Sequence, residues 1–120
     1  MKVKCIKNVF KSEDPEVPFW YPDLSIDKIY HVLAIQYDDY RLIGDEERPY
    51  LYPQQAFSII DNQIDNNWIQ VFEEEEEGEV LRYYGPPEFA RYFFEDYFDG
   101  DREKKEIFEQ YIKQLKLDQL

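Results

Sequence analysis

The residue types that most often carry out catalysis are scarce in this chain. His31 is the single histidine, Cys5 is the single cysteine, and the serines are Ser12, Ser25 and Ser58. A serine or cysteine nucleophile needs a base beside it and a sharp, glycine-framed turn that exposes it. No serine has such a turn, and His31 alternates with isoleucine and leucine, which is typical of a structural histidine inside a strand. We therefore predict no catalytic residue in this chain.

Residues that hold metals or phosphates are equally sparse. One histidine and one cysteine exclude a zinc cluster of His and Cys ligands within the chain. A calcium loop over residues 95–106 would have Gly100 and Glu106 in suitable places, but Tyr97 falls where the loop needs a carboxylate. The four glycines never cluster into a phosphate-binding loop. We predict that the protein uses no metal and no cofactor.

Adjacent carboxylates are so abundant that no single pair stands out as an acid–base pair. Asp38 and Asp39 form one pair, and Glu95 and Asp96 form another. General acid catalysis at neutral pH needs a carboxyl group whose pKa is raised, and that requires burial. Both pairs fall at turns or on solvated faces. An enzyme that uses carboxylates and tyrosines in a cleft remains an alternative interpretation.

The charge of the chain restricts its partners. There are 27 acidic and 14 basic residues, so the net charge is −13; residues 1–60 contribute −3 and residues 61–120 contribute −10. Such a protein is repelled by phosphate backbones and by anionic lipid. We therefore expect no nucleic acid and no membrane as partners, whereas a basic protein is electrostatically suitable.

The acidic half of the chain also contains the tyrosines that suit a protein interface. From residue 73 to residue 101 there are 11 acidic and 2 basic residues, a balance of −9. Acids beside aromatic anchors favour binding to a basic surface and fast association. This character suits an interaction module, for example an immunity or inhibitor protein that neutralises a basic partner. The candidate partner-binding residues are Glu73, Glu74, Glu75, Glu76, Glu77, Tyr83, Tyr84, Tyr92, Glu95 and Asp96.

A second candidate surface is aromatic. Residues 11–27 contain three prolines, which exclude a regular helix and disfavour a central strand. We expect the apolar residues among them to fold back onto the domain, although an exposed patch at residues 19–21 is the alternative. A barrel that binds a small ligand or a peptide could use the loop aromatics Trp20, Tyr21, Tyr50 and Tyr52.

The elements that must position these residues begin with a β-meander. Residues 2–9 alternate as a first strand, and residues 28–36 form a second strand that is apolar on both faces. Acidic turns at residues 38–39 and 44–47 separate it from short strands at 40–43 and 50–52. A helical turn at 53–56 then precedes a further extended run that ends at residue 61.

The pattern K-I-Y-x-V, D-Y-R-L-I, E-x-P-Y-L-Y-P and F in residues 28–57 resembles the small SH3-like barrel of many uncharacterised bacterial and phage proteins. The resemblance covers residues 2–61 and implies a strand after a loop, two tight acidic hairpins, and a helical turn before the last strand. It contains no catalytic residue, so it implies a fold and no activity.

The rest of the chain predicts a hairpin and two helices. Residues 68–72 and 79–84 are strands on either side of an exposed tip formed by the five glutamates. Pro87 begins a helix over residues 88–98 that Asp99 and Gly100 end, and Asp101 caps a second helix over 102–117. The two amphipathic helices should form an αα-hairpin packed on the sheet.

The predicted fold class is therefore α+β: a small antiparallel SH3-like barrel or a strongly bent sheet, then a β-hairpin, then a C-terminal αα-hairpin. We predict a single domain over residues 1–120, made of segments 2–61, 62–84 and 86–117. One cysteine, no signal-peptide pattern and no apolar run of membrane-spanning length indicate a cytoplasmic protein. The oligomeric state is left open by the sequence.

Overall fold

The computed structural model describes residues 1–13 and 17–118. The chain divides into two compact units, Met1–Pro87 and Glu88–Leu120. The described strands lie in the first unit and the described α-helices in the second. The α+β class is confirmed, with a mostly antiparallel sheet and a C-terminal helix pair, whereas the single domain and the docking of the helices on the sheet stay predictions.

The first unit consists of strands joined by turns and by longer loops. Their bounds are β1 Lys2–Cys5, β2 Val9–Phe10, β3 Phe19–Trp20, β4 Ile29–Gln36, β5 Asp39–Ile43, β6 Pro49–Pro53, β7 Phe57–Asp61, β8 Ile69–Glu75 and β9 Gly78–Gly85. A single 3₁₀ turn, Gln54–Ala56, links β6 to β7. The predicted meander and its helical turn are therefore confirmed, with bounds that differ by one or two residues.

The strand β4 organises the main sheet, in which every strand pair is antiparallel. One edge of β4 pairs with β5. Its other edge is divided between two strands: Ile29 to His31 pair with β1, and Ile35 and Gln36 pair with β9. Ile29 is exposed, and every other residue of β4 is buried or half-buried, which agrees with the apolar character of both faces.

The sheet does not close into a barrel within the described residues. The order β6-β5-β4-β1-β7 ends in β6 on one side and β7 on the other, and these two strands do not pair. β9 and β8 branch from β4 instead of continuing the meander. Of the two predicted forms, an SH3-like barrel or a strongly bent sheet, the barrel is not confirmed, and β9, which pairs with β4, lies outside the segment that suggested it.

The core of the first unit is aromatic and aliphatic. Tyr30 and Tyr40 both contact the ring of Phe57, at centroid distances of 6.2 and 5.9 Å. Large rings bury much apolar area per residue, which lets a small unit reach a stable core. Cys5 is part of this core, and burial raises the pKa of its thiol. The fully buried members include Val3, Cys5, Val32, Leu42 and Ala56.

The predicted strand over residues 2–9 is too long, because the chain leaves the sheet after Cys5. The amides of Ile6 and Lys7 both donate to the carbonyl of Ala56, at 2.8 and 3.2 Å, instead of continuing the ladder. The chain then forms β2, which pairs with β3 in a separate two-stranded sheet. We call β2, β3 and the described loop residues between them the flap.

The loop aromatics divide between core and solvent. Tyr21 packs edge-to-face on Phe10 and Tyr52, both at 5.8 Å, and Leu24 is fully buried. Phe19 and Trp20, in contrast, are 63% and 64% exposed. The expectation that this loop folds back is therefore right for Tyr21 and Leu24, and the exposed alternative is right for Phe19 and Trp20.

The helical unit contains a short helix α1, Phe93–Phe98, and a longer helix α2, Arg102–Asp118. The predicted helix over 88–98 is wrong in its first half: Pro87–Phe89 is a 3₁₀ turn, and Arg91 adopts φ +62°. A left-handed residue cannot continue a right-handed helix, so α1 begins only after it.

The ends of both helices follow from local hydrogen bonds. Gly100 adopts φ +97° and its amide donates to Tyr97, which ends α1 as predicted. The carboxylate of Asp101 accepts from the amide of Lys104 at 3.1 Å and caps α2. No helix among residues 1–13 and 17–118 is long and apolar enough to span a membrane.

Candidate functional site

The hairpin of β8 and β9 presents the glutamates at 73–77 to solvent, and we call it the acidic hairpin. Glu73, Glu74 and Glu75 belong to β8, and only Glu76 and Glu77 form the turn, so the predicted five-residue tip is too long. All five are exposed, and none forms a salt bridge with another described residue. The hairpin therefore concentrates negative charge on one two-stranded element.

The pairing of the hairpin places like charges opposite each other. Glu74 lies directly across from Glu79. Like charges in directly opposed cross-strand positions destabilise a sheet. The hydroxyl of Tyr37 makes a favourable contact in this stretch: it donates to Glu73 at 2.9 Å, and that hydrogen bond raises the pKa of Tyr37. A cationic partner at this position would relieve the repulsion.

Two apolar residues on β8 accompany the glutamates, and the candidate residues inferred from the sequence did not include them. Phe72 is 50% exposed and Ile69 is 38% exposed. Phe72 follows a bulge at which the register shifts between Val71 and Phe72. The available signal was the position of Phe72 directly before the glutamate run at the end of an alternating strand. β8 thus combines exposed apolar area with negative charge.

The other candidate partner-binding residues are distributed unevenly. Tyr83 is buried, and its hydroxyl donates to the carbonyl of Pro86, so it is a core residue rather than a contact residue. Tyr84 is half-buried and packs edge-to-face on Trp68 at 5.3 Å. Three further candidates, Tyr92, Glu95 and Asp96, lie in the helical unit: Tyr92 and Glu95 are exposed and Asp96 is half-buried.

The four residues of the predicted aromatic groove do not share one environment. Tyr52 is buried and donates a hydrogen bond to the carboxylate of Asp23. Burial, followed by that hydrogen bond, raises the pKa of Tyr52. Tyr21 and Tyr50 are half-buried against the core, and only Trp20 is exposed. Tyr52 is therefore a core residue, and Tyr21 and Tyr50 pack against the edge of the core.

A groove of about 480 Å³ lies beside the flap. The ammonium group of Lys7 stands 4.9 Å from the centroid of the Phe10 ring, and both residues line the groove. None of the four predicted groove aromatics lines it. The other described residues that line it are Val9, Lys11, Ser12 and Pro18.

A cluster of polar residues around Asp45 was also missed from the sequence. The carboxylate of Asp45 accepts from Lys28 Nζ at 2.5 Å, from Ser25 Oγ at 2.5 Å and from the Tyr30 hydroxyl at 3.0 Å. Burial alone would raise the pKa of Asp45, but these three hydrogen bonds outweigh it and lower the pKa. The cluster therefore fastens the loop before β4 to the turn after β5.

His31 lies in β4, as predicted, and is half-buried. Its Nδ1 atom is buried without a hydrogen-bond partner among the described residues. Burial lowers the pKa of His31, and the neighbouring amino groups of Met1 and Lys2 lower it further, whereas Asp65 and Asp61 raise it. The imidazole is therefore neutral at neutral pH, and no nucleophile is placed beside it in the described structure.

The described residues also contain no group of three or more His, Cys, Asp or Glu side chains that could hold a metal ion. Two surface features carry the exposed charge and the exposed aromatic side chains described above: the acidic hairpin and the flap. The chain matches no protein-family model, no curated protein and no solved structure, so these surfaces are interpreted from their own chemistry.

Proposed function

We propose that the protein is an interaction module that binds a basic partner protein through the acidic hairpin. The observation that carries the proposal is the placement of five exposed glutamates, without salt bridges among the described residues, beside the exposed ring of Phe72. Charge attracts and orients a basic partner, and a desolvated aromatic anchor supplies affinity.

A partner that the acidic hairpin neutralises would be bound tightly at its basic functional surface. This is the character of an immunity or inhibitor protein, and we propose that role as the specific form of the interaction. A cytoplasmic location stays a prediction from the single cysteine. The SH3-like resemblance of residues 2–61 also stays a prediction, and the proposed function does not depend on it.

The test is affinity capture with the full chain at low salt, compared with a variant in which Glu73, Glu74, Glu75, Glu76 and Glu77 are replaced by glutamine. Glutamine keeps the size and polarity of the side chain and removes the charge. We expect the natural chain to retain a basic protein that salt elutes, and the glutamine variant to lose it.

A matched control replaces acids elsewhere. Glu103, Glu106 and Glu109 are exposed on α2 and can be changed to glutamine without touching the hairpin. We expect this variant to retain the partner. Equal retention by the hairpin variant and the natural chain would refute the proposal, because the hairpin charge would then be irrelevant to binding.

The flap favours a second candidate function, the binding of a peptide or small ligand. The exposed indole of Trp20 pairs across the flap with Val9, which lines the groove. A ligand that covered this surface would change the environment of Trp20, whereas Trp68 is half-buried. Tryptophan fluorescence is measured while candidate ligands are added to the natural chain and to a Trp20→Phe variant. A fluorescence change that persists in the variant does not come from Trp20 and contradicts binding at the flap.

A further inference from the structure

The outer edge of β8 has no strand beside it. β8 pairs with β9 along one edge, and no other strand of the described residues joins it. No backbone hydrogen bond connects β8 to a described residue outside that hairpin. A strand edge of this kind presents alternating N–H and C=O groups that can pair with another extended chain.

A second copy of this chain is a poor occupant of that edge. Two β8 strands side by side would bring two sets of glutamates together, and charged residues on an edge strand protect it against such self-pairing. A strand with the opposite charge meets no such barrier. Charge complementarity therefore selects a basic segment.

We propose that the edge of β8 accepts an extended basic segment of the partner protein as an additional antiparallel strand. This inference rests on the proposed function and specifies how the acidic hairpin would recognise its partner. Backbone hydrogen bonds would supply part of the affinity, and the side chains of β8 would determine which sequence fits.

The register of the hairpin defines that sequence. Phe72 lies opposite Leu81 and Glu74 opposite Glu79, so Phe72 and Glu74 share one face. Glu73 lies opposite Val80 and Glu75 opposite Gly78, so these two glutamates share the other face. Negative charge thus occupies both faces at three consecutive positions, and one apolar side chain precedes them.

A strand beside β8 would therefore need basic residues at three consecutive positions, with no alternation. Every strand pair of the main sheet is antiparallel. A partner strand added in the same way would place its first basic residue opposite Glu75 and the residue after its third basic residue opposite Phe72. The matching segment has three basic residues followed by one apolar residue. A segment in which lysines alternate with apolar residues would place all its charge on one face and leave acids unmatched on the other.

The probe is a labelled synthetic peptide, Lys-Lys-Lys-Leu-Val-Thr with blocked ends, titrated into the full chain and followed by fluorescence anisotropy. The comparison peptide, Lys-Leu-Lys-Val-Lys-Thr, has the same composition and charge. We expect the first peptide to bind at least about tenfold more tightly than the comparison peptide, because its lysines match the glutamates on both faces of β8. A tenfold difference in Kd needs only a small difference in binding free energy.

Backbone pairing is tested by N-methylation. Only alternate amides of an added strand face β8, and the others point away. One peptide is methylated on its odd amides and another on its even amides. We expect one of these two forms to lose about tenfold or more in affinity, since several hydrogen bonds are blocked, and the other form to bind like the parent.

The outcomes separate the mode of recognition from the proposed function. Equal binding by the parent peptide and both methylated forms would overturn strand addition and leave binding by charge alone. Failure of every peptide would also overturn it, even if affinity capture still recovers a partner that depends on the hairpin glutamates. The proposed function itself fails only in the capture experiment, where the glutamine variant is the deciding comparison.

Discussion

At the scale of single residues, the polar groups of this protein fasten loops to the sheet. Asp45 receives three hydrogen bonds from residues on the loop before β4 and on β4 itself. Gly44 beside it is tightly enclosed, since a Cβ atom there would lie 2.6 Å from the Tyr52 hydroxyl. None of this was visible in the sequence, because turn acids are common and partners fifteen or more residues away cannot be identified from spacing.

Replacing Asp45 by alanine should destabilise the protein by about 1–3 kcal/mol, because Lys28, Ser25 and Tyr30 lose a shared acceptor. The measurement is the midpoint of urea unfolding. Glu46→Ala is the control, since Glu46 is an exposed neighbour on the same turn and forms no side-chain hydrogen bond or ion pair with another described residue. Equal effects of the two substitutions would show that the cluster around Asp45 contributes little.

The pH dependence of the hydrogen bonds follows from the direction of the shift. The pKa of Asp45 lies below its ordinary value of 3.8 in the folded protein. Asp45 therefore binds a proton more readily in the unfolded chain than in the folded protein. The stability that Asp45 contributes is present above pH 3.8 and is lost as the pH falls through the folded pKa. We expect the difference between the natural chain and Asp45→Ala to shrink below about pH 4.

His31 should make the protein less stable on mild acidification. The pKa of His31 is lower in the folded protein than its ordinary value of 6.5, so the folded state favours the neutral imidazole. The contribution of His31 to stability is therefore complete above pH 6.5 and is lost as the pH falls toward the folded pKa. We expect the urea midpoint of the natural chain to fall between about pH 7 and about pH 5.5. A His31→Gln variant should show a flatter profile, and the same slope in both proteins would contradict this assignment.

At the scale of elements, local patterns were reliable where neighbours in sequence are also neighbours in space. The meander strands and α2 follow from alternation, turn acids and the cap at Asp101. The first helix was misplaced because the left-handed conformation of Arg91 leaves no mark in composition. The pairing of β9 with β4 joins residues far apart in the sequence, and no local pattern predicted it.

The helical unit depends on one ring at its centre. Phe89 is fully buried and contacts Phe93 and Tyr111 at centroid distances of 4.8 and 4.7 Å. We expect Phe89→Ala to cost about 3–5 kcal/mol, as large-to-small changes of buried aromatic residues usually do. Helical circular dichroism during thermal unfolding measures the loss. Tyr92→Ala is the control because Tyr92 is 62% exposed, and a comparable loss there would argue against this packing.

At the scale of the whole molecule, charge dominates behaviour in solution. The candidate site was predicted in part: the glutamates and their exposure were foreseen, whereas Phe72 and the burial of Tyr83 and Tyr52 were not. Exposure of an acidic run follows from desolvation cost alone. Which aromatic rings fill the core depends on tertiary packing, and an aromatic-rich sequence offers many equivalent solutions.

Salt should stabilise the folded chain. A net charge of −13 is self-repulsive, and the screening length falls from about 30 Å at 0.01 M salt to about 3 Å at 1 M. We expect the thermal midpoint to rise with sodium chloride over this range. The glutamine variant of the acidic hairpin lacks five of the negative charges and should gain less. An identical gain in both proteins would indicate that the hairpin repulsion is negligible.

The divided edge of β4 has a consequence for the order of assembly during synthesis. Its first residues can pair with β1 as soon as they emerge, since β1 precedes them. Its last residues, Ile35 and Gln36, must wait for Tyr84 and Tyr83. A nascent chain on the ribosome therefore carries a half-finished edge until β9 is made, and non-local pairings of this kind form slowly. Such an edge can capture strands of other nascent chains, so the interval before β9 emerges is when this protein is most vulnerable to misassembly.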